Sequence, residues 1–135
     1  MAFFSAPACT PPITMSTPAQ HAILALLWSE NLEEHSPSQD LTDRVTADWE
    51  RFRAQCEALP DFDLDKILAN PLHPDCEGDP WNQVAHDFIF TRNHHGAGFW
   101  DGRCVKPFDT LLTDLAQQFD EISCELGGDG LVHLL

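Results

Sequence analysis

The residues of this chain that are best suited to chemistry lie in one short stretch of its second half. His94 and His95 are adjacent, with Arg92 and Asp101 on either side of them. Histidine titrates near neutral pH, and a carboxylate partner fixes which ring nitrogen carries the proton. One hypothesis is therefore an acid–base site made by these four residues and Asp87. The alternative, which we favour, is a hairpin in which Arg92 forms an ion pair with Asp87 or Asp101.

The same stretch carries donors that could bind a metal. His86, His94 and Cys104 offer the nitrogen and sulfur ligands that zinc prefers, and His73 and Cys76 would extend the set. The spacing matches no standard zinc motif, and adjacent histidines on a turn would point in different directions. We therefore predict no metal and no other cofactor, and keep His86, His94 and Cys104 as the alternative ligands.

Cys104 follows Arg103 and precedes Lys106, whose positive charges would favour the thiolate form. A nucleophile also needs a base that the fold positions, so we favour the alternative of a partly buried, unreactive thiol. The chain contains none of the motifs of serine hydrolases, zinc proteases, P-loop enzymes or EF-hand calcium sites. For these reasons we do not predict an enzyme.

Residues 87–102 read DFIFTRNHHGAGFWDG. This stretch resembles a motif, DFxxTRNxHGAGFWD, in the C-terminal halves of a family of small bacteriophage and prophage proteins. The resemblance covers residues 85–131 well. Residues 104–107 depart from the family pattern, as do residues 127–130, where GGDG stands in place of a GDDG-like turn. The family has no established activity, so the resemblance implies only a phage or mobile-element setting.

The composition is that of one globular domain with a strongly acidic character. The chain has 135 residues, of which 43% are hydrophobic, and it carries 22 acidic against 7 basic side chains, for a net charge of −15. Proteins that grip DNA or RNA neutralise the phosphates with lysine and arginine, so direct binding of nucleic acid is not expected. Binding to an anionic membrane surface is not expected for the same reason.

The N-terminal region lacks the features of a secretory signal or a membrane anchor. The first charged residue is Glu30, so no cationic segment precedes an apolar one. The longest purely apolar run, residues 22–28, is far shorter than the roughly 20 residues that span a bilayer. We expect a cytoplasmic protein with mostly reduced cysteines, a flexible arm over residues 1–16 and a single domain over residues 17–135.

Two helices are predicted in the first half of the domain. Thr17 begins a Thr-Pro-Ala-Gln sequence that is typical of a helix start, which predicts a helix over residues 18–33. Apolar residues recur at spacings of three and four over residues 41–59, which predicts an amphipathic helix capped by Asp40. Trp49, in the middle of that apolar stripe, is expected to contribute most to stability.

Further elements follow along the chain. A short third helix is predicted over residues 63–69, and residues 70–83, with three prolines, are predicted to form a long loop. Another helix is predicted to begin at Pro107, with its apolar residues on one face.

Two β-hairpins complete the prediction. Residues 87–92 are rich in strand-forming side chains and are followed by a glycine-containing turn and a second apolar segment, residues 97–101. Residues 122–126 alternate apolar and polar side chains, and a turn separates them from residues 131–135. We therefore predict an α+β fold in which helices cover an antiparallel sheet of about four strands.

Two sets of residues are candidates for binding a partner. Trp81, Phe99 and Trp100 could form an exposed aromatic patch, as in many interfaces, although such residues more often complete a core. Asp43 and Glu50 lie about two turns apart on the exposed face of the second helix. Carboxylates so spaced on a rigid surface can imitate phosphates, although acidity alone also serves solubility.

Together these observations predict a small acidic accessory protein of phage type that binds a host or phage protein. Its most specific form is a nucleic-acid mimic that inhibits a host factor with a basic nucleic-acid-binding surface. One alternative is a small enzyme or a ligand- or metal-binding domain that uses residues 86–102. Another is a structural accessory domain.

Overall fold

The structure, a computed structural model, describes residues 17–69, 79–95 and 97–135. Within these ranges the helices are α1 (Pro18–Ser29), α2 (Gln39–Glu57), α3 (Leu64–Ile67), α4 (Trp81–Arg92) and α5 (Phe108–Gln117), and the strands are β1 (Ser36–Pro37), β2 (Cys124–Leu126) and β3 (Leu131–Leu134). The α+β class is confirmed. The predicted arm and residues 70–78 of the predicted loop lie outside the described residues. No helix in the described ranges is both long and apolar enough to cross a membrane.

Helix α1 begins as its sequence predicts. The hydroxyl oxygen of Thr17 accepts a hydrogen bond from the backbone N–H of Gln20, and the Gln20 side chain accepts one from the Thr17 N–H. This reciprocal pair satisfies two N–H groups that the first turn of a helix leaves without partners. The helix ends at Ser29 rather than at residue 33, because Asn31 turns into the left-handed region with φ of 59°.

Helix α2 confirms the clearest periodic pattern in the sequence. Its apolar stripe is buried, and Trp49 lies in the core as expected. The N-terminal cap, however, is Ser38 and not Asp40, since the Ser38 side chain accepts from the backbone N–H of Leu41 at 3.2 Å. The short α3 and the later α5 also lie where helices are predicted, α5 beginning at Phe108 immediately after Pro107.

The first predicted hairpin is wrong, because residues 81–92 form the central helix α4. Asp79 accepts a hydrogen bond from the backbone N–H of Trp81 at 2.9 Å, and Pro80 follows it, so an Asp-Pro pair starts this helix. The alternation of Phe88 and Phe90 is typical of a strand, but α4 is buried on most sides and so shows little of the one-sided pattern of a surface helix. Tertiary burial therefore decides the structure of this segment.

The second half of that hairpin is not a strand either. Residues 97–103 form a series of turns packed against the end of α4. Thr91 accepts a hydrogen bond from the backbone N–H of Phe99 at 3.2 Å. Gly98 is required at this close approach, because a Cβ atom at that position would collide with the Thr91 hydroxyl.

The sheet has three strands in the order β1-β3-β2. The hairpin of β2 and β3 is confirmed, with Glu125 opposite His133 in an antiparallel register. The two-residue β1, which lies between α1 and α2, pairs with β3 in parallel. The described sheet is therefore mixed and three-stranded, and the prediction of about four antiparallel strands is wrong.

The directions of the helices follow from their side-chain contacts. His21 and Trp28 of α1 contact His86 and Phe90 of α4 in the same order, so these two helices run parallel. Helix α2 runs the opposite way, because Asp48 in its middle reaches Arg92 at the end of α4 while the later Arg53 lies over Trp81 at its start. Helix α5 follows the direction of α4, since the residues just after it bond to Arg92.

One end of the molecule therefore collects four helix termini and the sheet. The backbone N–H of Ser38, at the start of α2, donates to the Val132 carbonyl of β3 at 2.8 Å. The Asn93 side chain, after α4, bonds both the N–H and the carbonyl of Ile122. We call this end the sheet end. It contains the N-terminus of α2, the C-termini of α1, α4 and α5, and the sheet.

An aromatic cluster fills the core between α2, α4 and the segments that follow α4 and α5. The rings of Phe52 and Phe88 stack with centroids 4.4 Å apart, and Phe99 stacks on the other side of Phe52 at 5.7 Å. Trp49 packs edge-on against Trp81 at 5.8 Å. Burial of side chains this large is the main contribution to the stability of the fold.

Candidate functional site

Arg92 is part of the interior rather than of an exposed acid–base site. Its side chain is 0% exposed, and one of its terminal nitrogens donates to Asp48 at 3.0 Å. Its Nε and its other terminal nitrogen donate to the Asp120 carbonyl at 3.0 and 2.6 Å. The expected partner, Asp87 or Asp101, is thus replaced by Asp48. The guanidinium ties α4 to α2 and to the segment after α5.

The other acid–base candidates do not converge within the described residues. His94 and His95 are both exposed in the turn after α4, where His94 has a left-handed φ of 57°. The His95 ring lies edge-on to Phe90, with centroids 5.9 Å apart. Asp101 is exposed as well, so the catalytic hypothesis loses the geometry that it requires.

Asp87 forms a separate, buried ion pair. Its carboxylate, only 3% exposed, accepts a hydrogen bond from the Arg103 Nε at 2.8 Å. Burial raises the pKa of Asp87 to about 6, although the charge and hydrogen bond of Arg103 act in the opposite direction. The pair could not be predicted, because a strand over residues 87–92 would not bring Arg103 to Asp87.

The described residues do not assemble a metal site. No group of three or more His, Cys, Asp or Glu side chains among them could hold an ion, and His73 and Cys76 lie outside those ranges. His86 instead pairs with His21 of α1, with ring nitrogens 2.9 Å apart. Cys104 is buried, and burial raises the pKa of its thiol to about 12, so the nearby positive charges do not produce a thiolate.

The three aromatic residues predicted as a binding patch do not form one exposed surface in the structure. Trp81 and Phe99 belong to the core, with 8% and 0% of their surface exposed, because α4 packs Trp81 on Trp49 of α2 and the turns after α4 pack Phe99 on Phe52 of α2. Only Trp100 remains accessible, at 48%. The prediction is wrong for Trp81 because α4 begins within the predicted loop, and for Phe99 because buried turns replace the second strand of the predicted hairpin.

A more exposed tryptophan lies elsewhere, at the end of α1. Trp28 is 63% exposed and packs on Phe90, with ring centroids 6.0 Å apart. It borders a groove of about 410 Å³ at the C-termini of α1 and α4. We call this the Trp28 groove; it is lined by Trp28, Ser29, Asn31, Phe90, His95 and Ala97. Trp28 ends the apolar run of residues 22–28, so nothing in the sequence distinguishes it from a core residue.

Carboxylates surround the sheet end. They lie after α1, on the first turns of α2, after α5 and on the β2–β3 hairpin, and all are exposed. They are Glu30, Glu33, Glu34, Asp40, Asp43, Asp120, Glu121, Glu125 and Asp129. A hydrogen bond from the Leu131 backbone N–H, with help from His133, lowers the pKa of Asp129 and so favours its charged form.

The arginines of α2 and α4 are held by contacts within the fold. Arg44 pairs with Asp48, and Arg92 is buried against the same carboxylate. The guanidinium groups of Arg51 and Arg53 lie over the rings of Phe119 and Trp81, 4.5 and 4.4 Å from the centroids. Arg92 is thus removed from the surface, whereas the other three remain partly exposed while they contact a carboxylate or an aromatic ring. The more numerous carboxylates dominate the described outer surface.

The directions of the helices add to the negative electrostatic potential that the carboxylates create at the sheet end. The C-terminus of a helix carries roughly half a negative charge, and three helices, α1, α4 and α5, end at the sheet end while only α2 begins there. Arg92 lies in the last turn of α4, whereas neither α1 nor α5 has a basic residue in its last turn to offset this charge.

The two carboxylates predicted to imitate phosphates are both exposed on α2. Asp43 belongs to the sheet end. Glu50 lies further along, beside a second groove of about 510 Å³ between the start of α1 and the later turns of α2, where Arg53 is also present. The two do not form one uninterrupted acidic strip.

Comparison with known proteins adds no assignment. The sequence matches no protein-family model, and neither a curated protein nor a solved structure shows significant similarity to it.

Proposed function

We propose that this protein is a non-catalytic binding protein whose sheet end docks on a basic surface of another protein. The observation that carries the proposal is the collection of exposed carboxylates and three helix C-termini at one end of a rigid core. Several arginines, which would weaken this potential if they extended from the surface, pack on aromatic rings or pair with Asp48 instead.

The finer form of the proposal is mimicry of a nucleic acid. A surface that binds phosphates with lysine and arginine would also attract closely spaced carboxylates, and would then be blocked for its own ligand. The resemblance of residues 87–102 to phage proteins supports a host factor as the target. Asp43 remains in this surface, whereas Trp81 and Phe99 are buried and take no part in it.

The test is capture of a partner from a bacterial lysate by the tagged protein, followed by washing at low and at high salt. We expect a basic nucleic-acid-binding protein to be retained at low salt and released at high salt, because salt screens exposed charges. Mass spectrometry identifies the partner. Competition with duplex DNA then tests mimicry, since the DNA should displace a mimic from the same surface.

Two charge-reversal variants locate the docking surface. The double variant Glu33→Lys/Glu34→Lys changes the sheet end, and Glu57→Lys/Asp65→Lys makes the same change in net charge at the opposite end. All four positions are exposed, so both variants should fold. The proposal requires that only the first variant loses the partner. Equal loss in both variants, or retention that is insensitive to salt, would contradict it.

A further inference from the structure

The Trp28 groove has the features of a site for a positively charged side chain. Two aromatic rings, Trp28 and Phe90, form one side of it, and Trp28 is largely open to solvent. A cation over an aromatic face is attracted by the negative charge density of the ring, and arginine also stacks flat on it. The groove, at about 410 Å³, is large enough for one long side chain with part of its backbone.

Its position in the fold adds two sources of negative potential. The groove lies where α1 and α4 end, and the C-terminus of α1, which has no basic residue in its last turn, directs negative partial charge toward it. Glu30, between the groove residues Ser29 and Asn31, and the following Glu33 are exposed carboxylates of the same segment.

The polar part of the rim, formed by Ser29, Asn31 and His95, offers a hydrogen-bond acceptor at Ser29. The Ser29 hydroxyl donates its proton to the Leu26 carbonyl at 2.7 Å, which leaves its oxygen free to accept. Guanidinium has five N–H donors and no acceptor, so it complements such a rim.

A second copy of this chain is a poor occupant. Pairing of two Trp28 grooves would bring together two sets of exposed carboxylates, Glu30, Glu33 and Glu34 from each copy, in a protein that already carries a net charge of −15. Like charges facing each other across an interface oppose association. The charges therefore favour a basic partner over self-association.

We propose that the Trp28 groove receives an arginine side chain of a basic protein partner, stacked on Trp28 and Phe90. This inference rests on the proposed function, because it names the contact by which the sheet end anchors its partner. The carboxylates would supply attraction at a distance, and the groove would select arginine over lysine.

The test uses a labelled peptide of arginine and glycine, a matched peptide of lysine and glycine, and fluorescence anisotropy at low salt. We expect the arginine peptide to bind several-fold more tightly than the lysine peptide. The variant Trp28→Ala should weaken binding of the arginine peptide about three- to ten-fold and remove the preference. The matched control is Trp100→Ala, which removes an exposed tryptophan outside the groove and should change neither affinity.

Failure of this inference is distinguishable from failure of the proposed function. Equal, salt-sensitive binding of both peptides, unchanged by Trp28→Ala, would overturn the arginine site and leave the acidic docking surface intact. Absence of binding by either peptide at low salt would overturn both. Thermal unfolding of each variant confirms that the fold is retained, as expected for the removal of an exposed side chain.

Discussion

Asp87 should make the protein less stable as the pH rises from about 4 to 7. Its pKa is about 6 in the folded protein against 3.8 for the free side chain, because burial disfavours the charged form more than Arg103 favours it. Below about pH 4 the carboxyl is protonated in both states. Between about pH 4 and pH 6 the folded state keeps the proton and the unfolded state releases it, so the free energy of unfolding falls with rising pH.

The size of this loss follows from the difference between the two pKa values. Each pKa unit corresponds to about 1.4 kcal/mol, so Asp87 should remove about 3 kcal/mol from the free energy of unfolding across this range. Stabilities of small domains are commonly about 5–15 kcal/mol, so the effect is large enough to measure. The variant Asp87→Asn cannot ionise and should lack this loss.

The assay is urea unfolding of the natural protein and of Asp87→Asn at a series of pH values. The difference between their free energies of unfolding should change by about 3 kcal/mol between about pH 4 and 7, in favour of the variant at the higher pH. Taking the difference removes the general repulsion among carboxylates, which both proteins share. Asp65→Asn, at an exposed position, serves as the control and should give a nearly constant difference.

A constant difference for Asp87→Asn would refute the reasoning. It would mean that the 2.8 Å contact with Arg103 fully compensates the burial of the carboxylate. A direct check is the carboxyl ¹³C resonance of Asp87, which should titrate near pH 6 in the folded protein. In the variant Arg103→Met, the loss of the positive charge should move that titration to higher pH.

Two further predictions concern contacts that hold the helices. The variant Asp48→Ala should lower the free energy of unfolding by about 3–5 kcal/mol, because it leaves the buried Arg92 without its carboxylate. Urea unfolding measures this loss. A loss below about 1 kcal/mol would show that the Asp120 carbonyl alone is enough to stabilise the buried guanidinium. The variant Thr17→Ala should lower the free energy of unfolding by about 1 kcal/mol through loss of the α1 cap. Thr17→Ser keeps the hydroxyl and should retain most of that stability in the same assay. Equal losses in the two variants would show that the hydroxyl does not stabilise the helix.

Elements with a local signal could be predicted from the sequence. The start of α1 is set by a threonine, a proline and a glutamine within four positions, and the threonine and the glutamine bond each other within the first turn. The stripe of α2 repeats because only one face of that helix meets the core. The β2–β3 hairpin alternates because its strands are close in sequence and are joined by a glycine-rich turn.

Elements that depend on contacts between distant parts of the chain could not be predicted from the sequence. Helix α4 is enclosed by α1, by α2 and by the segments around α5, so its apolar residues lie on several faces and the helical period is obscured. The Asp79-Pro80 pair was the local signal that could have revealed it. Strand β1 has only two residues and exists because β3, far along the chain, pairs with it.

The candidate site likewise combines a feature that the sequence predicts with features that depend on distant contacts. The abundance of carboxylates is evident from composition, but their concentration at one end depends on the directions of the helices. The Trp28 groove depends on the parallel packing of α1 and α4, which brings Phe90 beneath Trp28. No spacing within either helix predicts that contact.

The acidic surface and the stability of the core are linked through the arginines. Arg92 and Arg51 contribute to the core by pairing with Asp48 and by covering Phe119 after α5, and these contacts leave the carboxylates at the sheet end less compensated. A chain with the same composition but with these arginines extended into solvent would present a weaker negative potential. The charge that the proposed partner would meet is therefore a property of the fold as much as of the net charge of −15.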